Sequence, residues 1–451
     1  MVDLKFVDLP GRWHHITIPS RRVNDDLISR GIPFDSSSIV GFRKVSCGDM
    51  SLTPDIQTGF DDPFTELRTL SFICNIRESD SRKGIPEDPR SIADRAQKYL
   101  KETLDADSLW LPELEFYLLD RAEYGTGNHF SYYDFYSNET DPTEGGFYLP
   151  PISGYHASPP LDTCTDIRSE MVRIAEDVGV KVRYHHHELG PFGQNEIEVL
   201  ECPLLKAADS VMLMKYIIKM TANRYGLVAT FLPKPLFNEP GSGMHFHQMP
   251  VKNGISLFWD EKSEYARLSE TALFYITGLL EHAPSLVAIT NPSTNSYKRL
   301  VAGFEAPTKR FYGLANRSAA VRIPKYCDTP ESKRIEFRPP DGTCNPYLAI
   351  AGQLLAGLDG IDKKSDPTEM GFGPFDENIE NWPENRKNDI QDIPETLQDA
   401  LKALSEDNHY LIKNDVFSME LLKKFIDYNN SLISDISRYP HPREIELYFD
   451  L

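Results

Sequence analysis

The chain of 451 residues carries 48 basic and 68 acidic side chains, a formal net charge of −20, with 40% hydrophobic and 26% charged residues. That length supports a large buried core and two domains, and the mixture describes an ordinary folded protein rather than a disordered one. So large a negative charge argues against non-specific binding to nucleic acid or anionic membrane, leaving small molecules or further copies of the chain as partners.

The run from Met1 to Asp8 has no basic segment followed by an apolar one, so no secretory leader is expected. The longest apolar stretch, around Tyr347 to Leu358, is too short and too interrupted to span a bilayer. Six cysteines (Cys47, Cys74, Cys164, Cys202, Cys327, Cys344) show neither CxxC spacing nor a disulfide framework, and a cytoplasmic location is expected.

Lys5 to Leu9 and Trp13 to Ile18 read as two strands joined by a hairpin turn at Pro10 and Gly11. Gly31 to Ser38 reads as a polar loop whose Asp35 and serines satisfy backbone groups. Strands continue to about Ile76, and a charged, breaker-rich run leads to Asp88-Pro89-Arg90-Ser91. That is a helix start, with an acid at the cap, Pro at the first position, and Ile92, Ala96, Tyr99 and Leu100 at helical spacing. The expected division is a small, mostly β domain over 1–85 and a larger α+β domain over 86–451.

The second domain opens with Leu111-Pro-Glu113-Leu-Glu115-Phe, an apolar strand on which two acids lie two residues apart and share a face. Val180 to His187 alternates as a strand and runs into a Gly/Pro-containing turn that has Glu188 at one end and Glu196, eight residues on, at the other. Alone, these two admit a solvated acidic turn beside a satisfied core histidine. The pairing at i, i+2 recurs, however, at His245 and His247 and at Arg334, Glu336 and Arg338. Strands presenting such pairs imply a curved sheet with a polar funnel on its concave face. Five glutamates and two histidines there could hold more than one divalent ion, and hard oxygen ligands suit Mg²⁺ or Mn²⁺ better than zinc.

Residues 298–338 invert the charge of the chain, with ten basic side chains against four acidic ones. Arginines interleaved with glycines and apolar residues beside a metal site suit phosphate and carboxylate, and with metal ions they fit phosphoryl transfer from a nucleotide. No GxxxxGK[ST] loop and no GxGxxG turn is present. Beyond Ile361 a charged, helix-rich tail closes the chain.

These stretches, in this order, resemble type I glutamine synthetase over nearly the whole chain. The resembling runs are Phe34-Asp-Ser-Ser-Ser, Asp88-Pro-Arg-Ser-Ile-Ala, Gly154-Tyr155 with Asp166-Ile-Arg-Ser-Glu-Met, and His186-His-Glu-x7-Glu. Pro233-Lys-Pro-Leu-Phe, Gly241-Ser-Gly-Met-His-Phe-His, Asn291-Pro-Ser-Thr-Asn-Ser-Tyr-Lys-Arg, Asn316-Arg-Ser-Ala and Arg334-Ile-Glu-Phe-Arg continue the match.

The resemblance implies an amino-terminal β-grasp domain and a catalytic domain whose antiparallel strands form a metal-lined funnel. It also implies a dodecamer of two stacked hexamers with active sites between subunits, and ATP-dependent ligation of ammonia to glutamate. Carried over residue by residue, Glu115, Glu188 and Glu196 would hold one Mg²⁺ or Mn²⁺, and Glu113, His245 and Glu336 another, two to three ions per site. Gly241, Arg299 and Arg338 match the glutamate pocket, and His247, Arg317, Arg322 and Arg334 the surroundings of ATP and its transferred phosphate. Asp35 and Ser38 from a neighbouring subunit, with Tyr155 and Glu188, match the ammonium pocket, and Glu305 matches the flap acid. Asp35, Glu305, Arg317 and Arg322 are the expected catalytic set.

Some positions depart from the family's usual pattern. Arg183 and Glu331 carry exchanged signs on the nucleotide side, so that a pair could be kept in reverse if they meet, and Pro240 stands where Asn is usual beside the amino-acid pocket. A γ-glutamyl ligase for an organic amine (methylamine, ethanolamine or a polyamine) is the close alternative, and a non-catalytic structural homologue a further one. Asp35 and Tyr155 favour ammonium, and the retained metal ligands and flap acid favour catalysis.

Overall fold

Two sheets organise the chain, and the computed structural model describes them through residues 1–42, 48–141 and 147–449. Cys47 lies outside those residues; Cys74, Cys164, Cys202, Cys327 and Cys344 are free thiols.

The first sheet begins with the expected hairpin, Val2–Val7 antiparallel to Trp13–Ile18. Gly11 in the turn has φ +92°, and a Cβ there would come within 2.9 Å of the Asn345 backbone, so both the turn and the close approach call for glycine. Val2–Val7 also runs parallel to Leu70–Glu78, which continues through Asp49–Pro54 to Ile32–Asp35 at the edge. Residues 32–35 are thus a strand rather than the expected loop. Ile32 and Phe34 pack partly inward while Pro33 and Asp35 face out, a period of two that the surrounding Gly, Pro and Ser conceal.

The helix Pro89–Leu104 starts where expected, with Asp88 at the cap position. The Asp88 carboxylate accepts from the Ser91 hydroxyl and the Ile76 amide instead of closing the helix end. Arg90 is buried and ties the small sheet to the larger body. Its guanidinium donates to both Asp209 oxygens at 3.0 and 2.9 Å, to Asp55 at 2.8 Å and to Asn75 at 3.0 Å. Arg90→Ala would leave two carboxylates without their cation and is expected to cost about 3–5 kcal/mol of stability, read as a lowered urea midpoint.

The second sheet has ten strands, whose main path runs Val182–His187, Gln194–Val199, Asp107–Leu119, Met244–Lys252, Ile335–Phe337, Val321–Ile323, Tyr312–Leu314. It is antiparallel throughout that path except at one edge, where the three-residue strands Tyr312–Leu314 and Val321–Ile323 run parallel. Leu204–Arg224, Glu270–Glu281 and Pro346–Lys363 supply much of the apolar packing of the core. The Tyr347 to Leu358 stretch is the buried middle of the last of these. Among the described residues no single helix is long and apolar enough to cross a membrane. Glu270–Glu281 and Ala283–Thr290 reach that length and composition only together, across a 73° bend.

Candidate active site

Register places the acids. Glu196 stands opposite Glu115 and Glu198 opposite Glu113 on one side of the Asp107–Leu119 strand, and His245 stands opposite Glu113 on the other. Glu336 pairs with His247 and with Arg322, and His186 with Glu196. Residues directly opposite one another, and residues two apart, share a face, so the ladder alone gathers these side chains.

The turn that returns Glu188 toward Glu196 is held from behind by Glu139. Its carboxylate lies 3.0 Å from His187 Nε2 and accepts from the Gly193 amide at 2.7 Å and the Thr163 hydroxyl at 2.8 Å. His187 is therefore the satisfied core histidine, whereas His186 faces the acids, 3.7 Å from Glu188 and 3.5 Å from Glu196.

One cavity is lined by Glu113, Glu115, Glu188, Glu196, His245 and Glu336 together with Gly241, Arg299, Arg317, Arg322 and Arg338, Arg322 standing beside Glu336 on the same sheet. Tyr155 and Glu305 complete the wall. Arg299 donates to the backbone carbonyls of Pro339 and Arg338, and Arg338 donates to Glu336 and to the Arg317 carbonyl. Tyr117 holds the Pro240 carbonyl at 2.6 Å, which fixes the chain beside Gly241. Arg317 reaches the Tyr155 hydroxyl at 3.1 Å and Glu305 at 3.7 Å. Glu305 adopts φ +55°, a left-handed conformation uncommon for a side chain of this kind.

Four predicted residues do not line this cavity. His247 and Arg334 are buried, His247 lying 2.7 Å from Glu113 and accepting from Arg334 at 3.4 Å. Asp35 and Ser38 are exposed, and the Asp35 carboxylate accepts from the Ser37 amide. That bond holds the Asp35 carboxyl below its ordinary range. The histidine pairing also differs from the expected ligand grouping. His245 lies 3.1 Å from Glu115, while it is His247 that completes a cluster with Glu113 and Glu336. The Arg183–Glu331 pair does not form: Arg183 binds Glu198, and Glu331 is exposed.

Glu198 is the residue that sequence reasoning missed. It lies two positions after Glu196 on the same strand, so the alternation that picked out Glu113 and Glu115 would have found it.

The electrostatics divide the acids into two groups. Burial pushes Glu336 up, but Arg338, His247 and Arg322 hold it well below the ordinary carboxylate range. Burial is likewise outweighed at Glu115, which His245, Arg299 and the Gly243 amide bring down to about 2, and at Glu113, where His247 prevails. Glu188 and Glu196 go the other way, pushed well up by burial and then by neighbouring carboxylates. A buried, oxygen-rich cluster in which Glu188 and Glu196 face one another with only His186 beside them fits a hard divalent cation.

Comparisons with known proteins identify the family. A family model for the glutamine synthetase β-grasp domain matches residues 1–79, and one for the glutamine synthetase catalytic domain matches residues 86–448. A glutamine synthetase of Aquifex aeolicus is 43% identical over 455 residues, covering 100% of this chain and 96% of that protein. That of Salmonella typhimurium is 42% identical with the same coverage. The solved structure of Plasmodium falciparum glutamine synthetase superposes with a TM-score of 0.89 at 26% identity, covering 99% of this chain and 95% of that one.

Proposed function

The chain belongs to the glutamine synthetase family, and from that premise we propose how its cavity joins ammonia to the γ-carboxylate of L-glutamate at the expense of ATP. The observation that carries the assignment of residues is the meeting of five carboxylates and His245 with Arg299, Arg317, Arg322 and Arg338 in one cavity. We take residues 1–85 and 86–451 as the two working domains.

Glu115, Glu188 and Glu196 would hold one divalent cation, and Glu113 and Glu336 another, with His245 turning to it from Glu115; Mg²⁺ or Mn²⁺ is the ion, two to three per site. A cation bound there offsets the charge that builds on the phosphoryl oxygens. Arg299, Arg338 and the Gly241 backbone hold glutamate so that its γ-carboxylate faces the phosphoryl group. A carboxylate is a poor acyl donor because oxide would have to leave. Attack of a γ-carboxylate oxygen on the γ-phosphorus of ATP, with departure of ADP, replaces that leaving group with phosphate. Arg317 and Arg322 stabilise the phosphoryl oxygens, and His247 and Arg334 support the nucleotide side.

Glu188, Tyr155, Asp35 and Ser38 form the ammonium pocket. Ammonium binds as a cation and loses a proton to Asp35, and the freed nitrogen then attacks the carbonyl carbon of the acyl phosphate as phosphate leaves with the second proton. Glu305, linked through Arg317 to Tyr155, closes the mouth and keeps water from the acyl phosphate.

The assay is ATP-dependent phosphate release with glutamate, offering ammonium and a panel of primary amines and identifying the product by mass. Glutamine formed in preference to any amide of an organic amine is the expected result. Preferred turnover with an organic amine would overturn the ammonium pocket.

Asp35 lies outside its own chain's cavity, so we infer that a neighbouring subunit supplies it, in a dodecamer of two stacked hexamers. The carboxy-terminal helix Pro442–Tyr448 leaves Ile445, Leu447 and Tyr448 exposed, as a segment gripping another subunit would. Asp35→Ala and Glu336→Ala subunits, each inactive alone, should regain about a quarter of wild-type activity when co-assembled at random in equal amounts. Sites lying within single chains would show no recovery. A cytoplasmic location completes the proposal.

A further inference from the structure

We propose that a second cavity, between the amino-terminal hairpin and two helices of the larger domain, binds a small organic anion: a carboxylate carried on an aromatic or branched apolar body.

This cavity has a volume of about 590 Å³, within the range of small-molecule sites, and shares no residue with the catalytic one. The turn at 10–13 forms one wall, and the helices Leu204–Arg224 and Met419–Ile436 form two others. Met212, Lys215, Tyr216, Lys219 and Met220 line it at the spacing that puts them on one face of the first helix. Trp13, Phe425, Tyr428 and Leu432 supply much of the apolar wall elsewhere.

Charge decides what such a wall would hold. Arg12, Lys215 and Lys219 line the cavity and no Asp or Glu does, in a chain whose net charge is −20. Among the described residues none of the three forms an ion pair. The partners of the two lysines are neutral: Lys215 donates to the Gly342 carbonyl at 2.6 Å, and the two ammonium groups lie 5.6 and 5.8 Å from the centre of the Phe231 ring. Asp341 acts on Lys215 from outside the cavity, but its carboxylate is taken up by Asn291 and Thr343. Burial brings the Lys215 ammonium down to about 8 in spite of it. A carboxylate in the cavity would supply the missing counter-charge, and its apolar body would cover the aromatic and aliphatic wall. A sugar or a nucleobase would find few free donors there, because the amides of Asn345 and Asn429 already donate to backbone carbonyls.

The test is calorimetric titration of the full-length protein with phenylpropionate and with its neutral isostere phenylpropionamide. Saturating glutamate is present throughout, so that Arg299 and Arg338 are not open to the probe. One equivalent of phenylpropionate per chain is expected, bound at least about tenfold more tightly than the amide. Lys215→Met keeps the apolar length and removes the charge, so it should weaken phenylpropionate at least about tenfold and leave the amide unchanged. Lys219→Gln, at an exposed position, should weaken phenylpropionate about threefold and decides the matter if Lys215→Met does not fold. Absence of saturable binding, equal affinity for the amide, or undiminished phenylpropionate binding in a folded Lys215→Met, or failing that in Lys219→Gln, would overturn the site. Binding that appears only when subunits are dissociated would assign the cavity to a neighbouring chain and overturn it as well.

Discussion

Glu336→Ala lowers the rate of glutamine formation by at least about 1,000-fold, the larger end of what losing one preorganised electrostatic group costs an active site. Glu336 is fully buried and accepts from Arg322 and Arg338, with His247 3.9 Å away. The substitution therefore removes a proposed cation ligand and frees two arginines that its charge holds in place. Unpaired buried guanidinium groups also destabilise, by about 3–5 kcal/mol when the partner is simply deleted. Glu336→Gln separates the two effects. It keeps the shape and one acceptor oxygen, loses the charge and sets an NH2 against one guanidinium, so it should be less destabilised than Glu336→Ala and still turn over poorly. Rates would be measured with saturating ATP, glutamate and ammonium over a wide Mg²⁺ range, with urea unfolding run beside them. Full activity in either variant at ordinary Mg²⁺ would remove Glu336 from the metal site.

How far such a site can be read in advance depends on which physical rule sets each position. Strand alternation is strict, so Glu113 with Glu115 and His245 with His247 were legible as pairs on one face, and ladder pairing then did the gathering. The same rule reaches Glu198, but attention to the eight-residue turn between Glu188 and Glu196 ended the strand too early. Alternation says which face a side chain takes and nothing about which neighbour it reaches. That is why His245 lies with Glu115 and His247 with Glu113. The partner of Arg183 was hidden for another reason: a bulge breaks the period, and with it any inference from spacing. Asp35 shows the opposite failure, a short edge strand masked by residues that usually make loops. Gross architecture was the easier part, because a long apolar helix such as Pro346–Lys363 and a hairpin at Pro10 and Gly11 announce themselves locally.

Removing divalent cations lowers the melting temperature, and the loss grows as pH rises. Glu188 and Glu196 carry the argument, since burial and then the surrounding carboxylates raise both well above the ordinary range. Well below the unfolded carboxylate pKa of about 4.5, folded and unfolded chains are both protonated and the penalty vanishes. As pH rises past that value the unfolded chain ionises while the buried pair keeps its protons. The cation-free fold therefore loses stability steadily until Glu188 and Glu196 ionise in place. A bound cation replaces those protons, so its stabilising effect increases over the same window and its binding releases protons. Glu115 and Glu336, held low by their own partners, are already ionised near neutral pH and add nothing to that release. At a cation concentration 1,000 times its dissociation constant the gain is about 4 kcal/mol per site. Calorimetric melting with chelator and with Mg²⁺ or Mn²⁺ at pH 6, 7 and 8 reads the first effect. Titration calorimetry in buffers of different ionisation enthalpy counts the protons. A stabilisation independent of pH, with no proton released, would mean that Glu188 and Glu196 are charged before any cation arrives, and that the positive charge facing them belongs to the protein itself.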